Sequence, residues 1–367
     1  MRRTPLIPAA LAAVALVGTT LAPAQASEPD PVVTGLPGGV LSLAVADDGT
    51  VYATQNFAGV INQVAPGSGE ATPIFADEGG REIGGLSIAG DVLTFTATSQ
   101  GGPANARVYT LTPAEGGGFD QDELANTWAY EKANNPDART KYGIAGLSKK
   151  CVKQIPKEIR GLVKAYPGIK ESHPYATTSA GAVTYVADAA ANAVLAIEDG
   201  GVSTVAVLPP VKVKVTKQNR KGMGLPKCTQ GKVYKGEPVP TDVELDGAGN
   251  LFVTTLGGAV GEMMPLGALH KITPAGKVSK VIDGLMMPVG LAVTEGGDFW
   301  ISSLGPEGGV LKNPDRFSVE EAITFPFSGD VDIHGEDLYF TSTGLGDAPD
   351  GPFTGGVVKH PLTEVSD

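Results

Sequence analysis

The chain has 367 residues, among them 50 glycines and 28 prolines, and a formal charge of −12 at neutral pH. A chain this acidic is a poor candidate for general nucleic-acid binding, which needs a basic surface. Its length allows one large repeat domain or two ordinary domains. The many glycines and prolines, with few long apolar helical patterns, favour short strands joined by turns.

The first predicted element is a secretory signal peptide over residues 1–26. Two arginines precede an apolar run, and small residues mark a cleavage site after Ala26. A membrane anchor is the alternative, but Pro8 and Gly18 break the run, which is too short to span a bilayer comfortably. We therefore expect a secreted protein, extracellular or in the cell envelope, with no transmembrane segment.

A repeated unit fills the remaining chain, residues 28–367. Each copy has an apolar strand, a Gly or Asp turn, a second strand and a third strand, and the centre of the second strand is aromatic in five of six copies. Six copies align, and their equivalent second-strand positions are Tyr52, Thr94, Tyr185, Phe252, Trp300 and Tyr339. The pattern predicts an all-β fold, a six-bladed β-propeller in a single domain. A β-sandwich is the alternative, but it does not explain a unit that restarts about every 40 residues.

The ends of the repeat predict how the ring closes. Val32 and Val33 resemble an outermost strand with no unit before them, and residues 355–362 resemble a third strand with no fourth after it. We therefore expect the N-terminal strand to complete the last blade. Two segments that interrupt the repeat, 113–170 and 208–238, are predicted to be partly helical insertions on one face, because loops after second and fourth strands emerge together.

Several segments resemble a family of secreted proteins. The stretch EPVPTDVELDGAGNLFVTTL, the NNPD turn at residues 134–137 and the single cysteine in each insertion are similar to the ScyD/ScyE family. The resemblance covers nearly all of the chain after the signal peptide and implies an exported propeller, but the family has no well-defined activity. The stretch VADAAANAVLAI resembles the turn of NHL-repeat propellers. That likeness implies a structural role for Asp188 and Asn192, which would tie neighbouring loops by side-chain to backbone hydrogen bonds.

Four polar residues are predicted where first strands begin, on the face that carries the insertions. They are Glu82, His173, Asp242 and Asp330. Oxygen ligands suit hard ions, so a divalent cation such as Ca²⁺ is the candidate cofactor, and the same groups could supply a general acid and base. The alternative is that Asp242 and Asp330 accept hydrogen bonds from backbone amides and that His173 is a rim residue. No catalytic residue is assigned.

These observations favour a binding protein over an enzyme. The leading prediction is a secreted module that binds an unknown extracellular ligand or protein through its insertion-covered face. The alternative is a metal-dependent propeller enzyme of the lactonase or lyase type that uses the channel carboxylates. Gluconolactonase-like propellers carry a metal-binding glutamate at the start of the first blade, and GLPGGV at residues 35–40 has no carboxylate there.

The insertions separate charge sharply. Residues 132–170 contain ten basic and two acidic residues, and residues 212–235 contain eight basic residues and no acidic one. This lid could pair internally with the acidic propeller, or present a surface to an anionic ligand such as polyphosphate. Export into an oxidising compartment, with both insertions on one face, predicts a disulfide between Cys151 and Cys228 that orders insertions with little core of their own. Two unpaired buried thiols are the alternative.

Overall fold

The computed structural model describes residues 28–99, 105–313, 320–343 and 354–362. The predicted signal peptide lies outside these residues. Alternating apolar residues form six antiparallel sheets of four strands, numbered here in chain order. Sheet 1 contains β2 (Leu43–Val45), β3 (Val51–Gln55), β4 (Val60–Val64) and β5 (Ala71–Ala76). Sheet 2 contains β6 (Glu82–Ala89), β7 (Val92–Thr98), β8 (Ala106–Pro113) and β9 (Phe119–Ala125). Sheet 3 contains β12 (Pro174–Ala180), β13 (Val183–Asp188), β14 (Ala193–Glu198) and β15 (Gly201–Val207).

Sheets 4 and 5 have the same order. They contain β18 (Pro240–Leu245), β19 (Leu251–Thr255), β20 (Gly267–Ile272) and β21 (Val278–Leu285); and β22 (Pro288–Val293), β23 (Phe299–Ser303), β24 (Gly309–Lys312) and β25 (Glu320–Thr324). Sheet 6 combines the first described strand with the last three. It contains β26 (Ser328–His334), β27 (Asp337–Ser342), β28 (Thr354–Pro361) and, paired antiparallel with β28, β1 (Asp30–Pro37).

The first strands of the six sheets contact one another in order, from β2 through β6, β12, β18 and β22 to β26, and β26 contacts β2. Glycines permit part of this close approach. A Cβ atom on Gly290 would lie 2.7 Å from the Cα atom of Asp330 in sheet 6, and one on Gly329 would lie 3.2 Å from the carbonyl oxygen of Val40, close to the start of sheet 1. Buried apolar clusters fill the spaces between successive sheets, including the space between sheet 6 and sheet 1.

All six residues aligned from the sequence lie in second strands, and each pairs with a first-strand residue in equivalent register. Because strands in a sheet alternate in direction, loops after second and fourth strands leave at one end of each sheet. Both insertions leave at this end. We call this set of loops the insertion face, and the loops at the other sheet ends the opposite face.

The two insertions share a small sheet with the order β11, β10, β17, β16. Their elements are α1 (Thr127–Asn134), β10 (Lys141–Ile144), α2 (Lys149–Gln154), α3 (Arg160–Val163) and β11 (Tyr166–Pro167), then β16 (Val211–Lys214), α4 (Lys217–Gly222) and β17 (Val233–Gly236). A further short helix, α5 (Gly258–Gly261), lies in the loop after β19. Side chains of Asn126, Ser148 and Thr216 cap α1, α2 and α4.

Two expectations about the insertions are corrected. The first insertion begins after Ala125 rather than at residue 113, because Phe119–Ala125 pairs with β8 as the fourth strand of sheet 2. The strand was not predicted because its sequence, FDQDELA, is mostly polar and lacks an apolar alternation. The insertions also have a core of their own, since residues such as Ile144, Ile155 and Tyr234 are buried together. In the described part of the chain, no helix is long and apolar enough to span a membrane.

Candidate functional site

A cavity of about 220 Å³ lies between the first strands of the sheets. Four carboxylates line it: Asp242 and Glu244 from β18, and Asp330 and Asp332 from β26. Each pair is two residues apart, so both members face the same side of their strand. We call these residues the channel carboxylates. No described residue that lines the cavity is basic.

Three of the channel carboxylates connect neighbouring sheets. Asp242 Oδ2 accepts a hydrogen bond of 2.6 Å from the backbone N–H of Leu291, which joins sheet 4 to sheet 5. Asp330 Oδ2 accepts one of 2.9 Å from Leu43, and Asp332 Oδ2 one of 3.0 Å from Val45, which join sheet 6 to sheet 1. This arrangement matches the backbone-amide alternative stated for Asp242 and Asp330.

Burial raises the pKa of every channel carboxylate. It raises the pKa of Asp330 to about 7. For Asp242 the negative charges of Asp330 and Glu244 add to the effect of burial, and for Glu244 the charges of Asp332 and Asp330 do so, which puts both pKa values well above their usual range. The cavity therefore favours protonated carboxyl groups when it is empty of cations.

These shifts predict that the protein becomes more stable as the pH falls from about 7 to about 5. The folded pKa of Asp330, about 7, lies above its unfolded value of 3.8, so the folded state holds more protons between these values. Stability is then lost as the pH rises through this window, by about 1.4 kcal/mol per pH unit for one full proton. Urea unfolding across the window measures the slope, and Asp330→Asn should flatten it. A wild-type protein that loses stability on acidification from pH 7 to about pH 5 would contradict this assignment.

Glu82 and His173 form a separate pair at the insertion face. His173 Nε2 lies 3.5 Å from Glu82 Oε2. Burial lowers the pKa of His173, but the hydrogen bond and charge of Glu82 outweigh it and raise the pKa above its ordinary value. Tyr175, which is partly buried, lines the channel cavity and also the small space beside Glu82 and His173. Burial, followed by the charges of Glu82, Asp330 and Asp242, raises the pKa of Tyr175.

The four residues predicted at the channel mouth thus form two pairs rather than one cluster. Within the described ranges, no group of three or more His, Cys, Asp or Glu side chains is arranged to hold a metal ion. The divalent cation stays a prediction. Sequence reasoning missed Glu244, Asp332 and Tyr175, although the alternation in Asp242-Val243-Glu244 and Asp330-Val331-Asp332 carries the signal for the first two.

Asp188 and Asn192 connect sheet 3 to the neighbouring loops by hydrogen bonds. Asp188 accepts hydrogen bonds from the backbone N–H of His173 at 2.7 Å and from the hydroxyl of Ser172 at 2.6 Å. The side-chain Nδ2 of Asn192 donates a hydrogen bond to Asp137 Oδ2 at 3.0 Å, and its side-chain Oδ1 accepts one from the backbone N–H of Val239 at 3.2 Å. These contacts hold the loop after β13 against the first insertion and against the residue that precedes β18.

The two insertions are also linked covalently. Cys151 and Cys228 form a disulfide with a Cα–Cα distance of 5.8 Å, as predicted. Cys151 is buried at the start of α2, and Cys228 lies at the surface of the second insertion. The bridge joins α2 to the short turn after α4.

Most basic residues of the insertions face solvent. Of the 18 lysines and arginines between 132 and 170 and between 212 and 235, only Arg160, Arg220 and Lys235 are partly buried. Among the described residues, none of the 18 forms an ion pair with a carboxylate. The two arginines instead donate to backbone carbonyls within the insertions. Within the described ranges, the lid therefore lacks the ion pairs that an internal electrostatic role would use.

The insertion face also carries the exposed apolar residues. Those that the structure describes as large, hydrophobic and exposed are Phe57, Leu162, Ile169, Val233, Met263, Met286 and Phe327. Each lies in an insertion or in a loop after a second or fourth strand. All of the exposed large apolar side chains among the described residues therefore lie at the end of the sheets that carries the insertions.

No family model matches the chain, and no curated protein matches it in sequence. Its structure resembles a putative oxidoreductase (glucose dehydrogenase) from Thermus thermophilus, with a TM-score of 0.55, 15% identity, and coverage of 90% of this chain and 99% of the other. It also resembles the PQQ-bound aldose sugar dehydrogenase from Streptomyces coelicolor, with a TM-score of 0.51, 14% identity, and coverage of 89% of this chain and 96% of the other. A protein of unknown function from Bacteroides thetaiotaomicron matches with a TM-score of 0.53, 12% identity, and coverage of 90% of this chain and 73% of the other. At these identities the likeness shows the fold alone, which is an all-β propeller.

Proposed function

We propose that this protein is a secreted β-propeller that binds an anionic extracellular ligand or partner through its insertion face. The observation that carries the proposal is the set of 18 basic residues that form no ion pair among the described residues, although the whole chain has a charge of −12. Unpaired cations held together on one side attract a polyanion over several ångströms. The disulfide fits an oxidising, extracellular setting. A relation to the ScyD/ScyE family is part of this proposal.

The proposal includes a ring of six blades closed by the N-terminal strand. Sheets 1 to 6 supply the blades, and the cyclic contacts of the first strands support a closed ring. Val33 and Leu36 of β1 pack with Val40 and Leu43 at the border with sheet 1. The strand thus completes sheet 6 by hydrogen bonding and contacts sheet 1 by packing. In such a ring all insertion-end loops would share one surface.

Charge reversal on α2 tests the binding proposal. Lys149 and Lys153 lie one helical turn apart and are both exposed. We expect Lys149→Glu combined with Lys153→Glu to weaken polyphosphate binding about tenfold at low salt, because four units of charge change at the surface. Isothermal titration calorimetry of the whole mature protein measures the affinity.

The matched control reverses two lysines on the opposite face. Lys277 lies in the turn between β20 and β21, and Lys312 is the last residue of β24, the third strand of sheet 5. Lys277→Glu combined with Lys312→Glu changes the net charge equally, so a loss of affinity set by net charge alone would be the same in both variants. Equal losses, or no measurable binding of wild-type protein to polyphosphate at low salt, would refute the proposal.

A metal-dependent enzyme is the second candidate. The channel carboxylates favour it, because four acidic groups share one cavity without a basic neighbour among the described residues. The hydrogen bonds from backbone amides to Asp242, Asp330 and Asp332 weigh against it, since they already use oxygens that a cation would need. Elemental analysis of the purified protein distinguishes the two candidates: stoichiometric calcium or another divalent metal would favour the enzyme.

A further inference from the structure

A second cavity, which shares no lining residue with the channel, lies between the second insertion and sheet 4. Its volume is about 550 Å³. Small-molecule sites have volumes of this order, roughly 300 to 1,000 Å³. Pro209, Pro210, Pro265 and Leu266 supply an apolar wall. Prolines give this wall a fixed backbone, because their rings restrict the chain.

One buried polar group in the lining has no hydrogen-bond partner among the residues that the structure describes. His270, in the middle of β20, is 4% exposed, and its Nδ1 atom is buried without a hydrogen bond. Burial, followed by the charge of Lys280, lowers the pKa of His270 to about 4. The ring is therefore neutral at physiological pH. Buried polar atoms are normally hydrogen-bonded, so an unpartnered one in a cavity wall indicates a missing partner.

The remaining polar lining is charged. Lys280 forms an ion pair with Asp283 on the same strand. Lys212, at the start of the second insertion, is exposed and makes no ion pair with a described residue. The lining thus carries one excess positive charge beside an apolar wall and a neutral hydrogen-bonding nitrogen.

We propose that this cavity binds a small amphiphilic anion. The apolar body of the ligand packs on the three prolines and Leu266, a polar atom of the ligand hydrogen-bonds to His270 Nδ1, and its negative group lies near Lys212. The second insertion supplies Pro209, Pro210 and Lys212 to this cavity. The inference still does not depend on polyanion binding at the insertion face, because the apolar wall and the His270 nitrogen are available whether or not a polyanion binds the lid.

The probe is 8-anilinonaphthalene-1-sulfonate, which has an aromatic body, an N–H donor and a sulfonate. We expect the whole mature protein to bind it with fluorescence enhancement. His270→Phe, which keeps ring volume and removes the nitrogen, and Lys212→Glu should each raise the dissociation constant at least about fivefold. Lys232→Glu, an exposed reversal in the same insertion outside the lining, should leave it unchanged.

Nitrogen chemical shifts of the histidine rings locate the bound probe. The chain has four histidines, and His334 lies on the opposite face, where it serves as the reference. We expect saturation with the probe to move the His270 ring nitrogens and leave those of His334 in place. An unmoved His270, or equal affinity in wild type and His270→Phe, would overturn the proposal and leave the probe at another apolar surface.

Discussion

A protein that begins at residue 38 instead of residue 28 is expected to lose cooperative folding, or to melt at least about 10 °C lower. The deletion removes β1, which pairs with β28 through Asp30, Pro31, Val33, Leu36 and Pro37. It also exposes the edge of β28 and opens the border between sheets 6 and 1.

The magnitude follows from what β1 buries. Val33 is 4% exposed and Leu36 8%, and each burial contributes about 1.5–3 kcal/mol in addition to the lost strand hydrogen bonds. Thermal unfolding followed by circular dichroism measures the change. Deleting only residues 28 and 29, which precede β1, is the matched control and should leave the melting temperature unchanged. An unchanged melting temperature in the longer deletion would exclude closure by this strand.

Removing the disulfide is expected to cost about 4–5 kcal/mol of unfolding free energy in the chain-entropy model. The bridge closes a loop with a sequence separation of 77 residues, so it strongly restricts the unfolded chain. Cys151→Ala combined with Cys228→Ala removes it without leaving a free thiol. Guanidinium unfolding of both proteins gives the difference.

Reduction supplies the control for this prediction. Dithiothreitol should destabilise the wild-type protein and leave the double alanine variant unaffected. We also expect faster amide exchange in the insertions than in sheet 3 of the variant, because the insertion core around Ile155 and Tyr234 then holds the lid alone. A difference below about 1 kcal/mol would mean that this core, rather than the bridge, orders the insertions.

The strand pattern of the sheets could be predicted from the sequence because the repeat reports the local period. Second-strand residues such as Tyr52 and Trp300 recur at equivalent positions, and their register in the structure is the same. The disulfide was also predictable, since both insertions leave at the same end of their sheets. In both cases the repeat period determines which residues come into contact.

The insertions and the channel could be predicted less well. The shared insertion sheet pairs β10 with β17, whose segments KYGI and VYKG lie about 90 residues apart and contain too few apolar residues to indicate strands. Glu82 and His173 were expected beside Asp242 and Asp330, but a side chain at the start of a strand can turn towards the rim or the channel. In the structure Asp242 and Asp330 line the channel cavity, whereas Glu82 and His173 line a separate small space, and Tyr175 borders both.

Hydrogen exchange with and without polyphosphate tests the central claim, binding at the insertion face, most directly. The mature protein is compared at low salt, and exchange is followed by mass spectrometry of peptides from the whole chain. We predict slower exchange in residues 141–164 and 211–236, which contain α2, β10, β16 and β17, and no change in the opposite-face turns at 46–50 and 273–277. Protection confined to the opposite face, or no protection at saturating polyphosphate, would contradict the account.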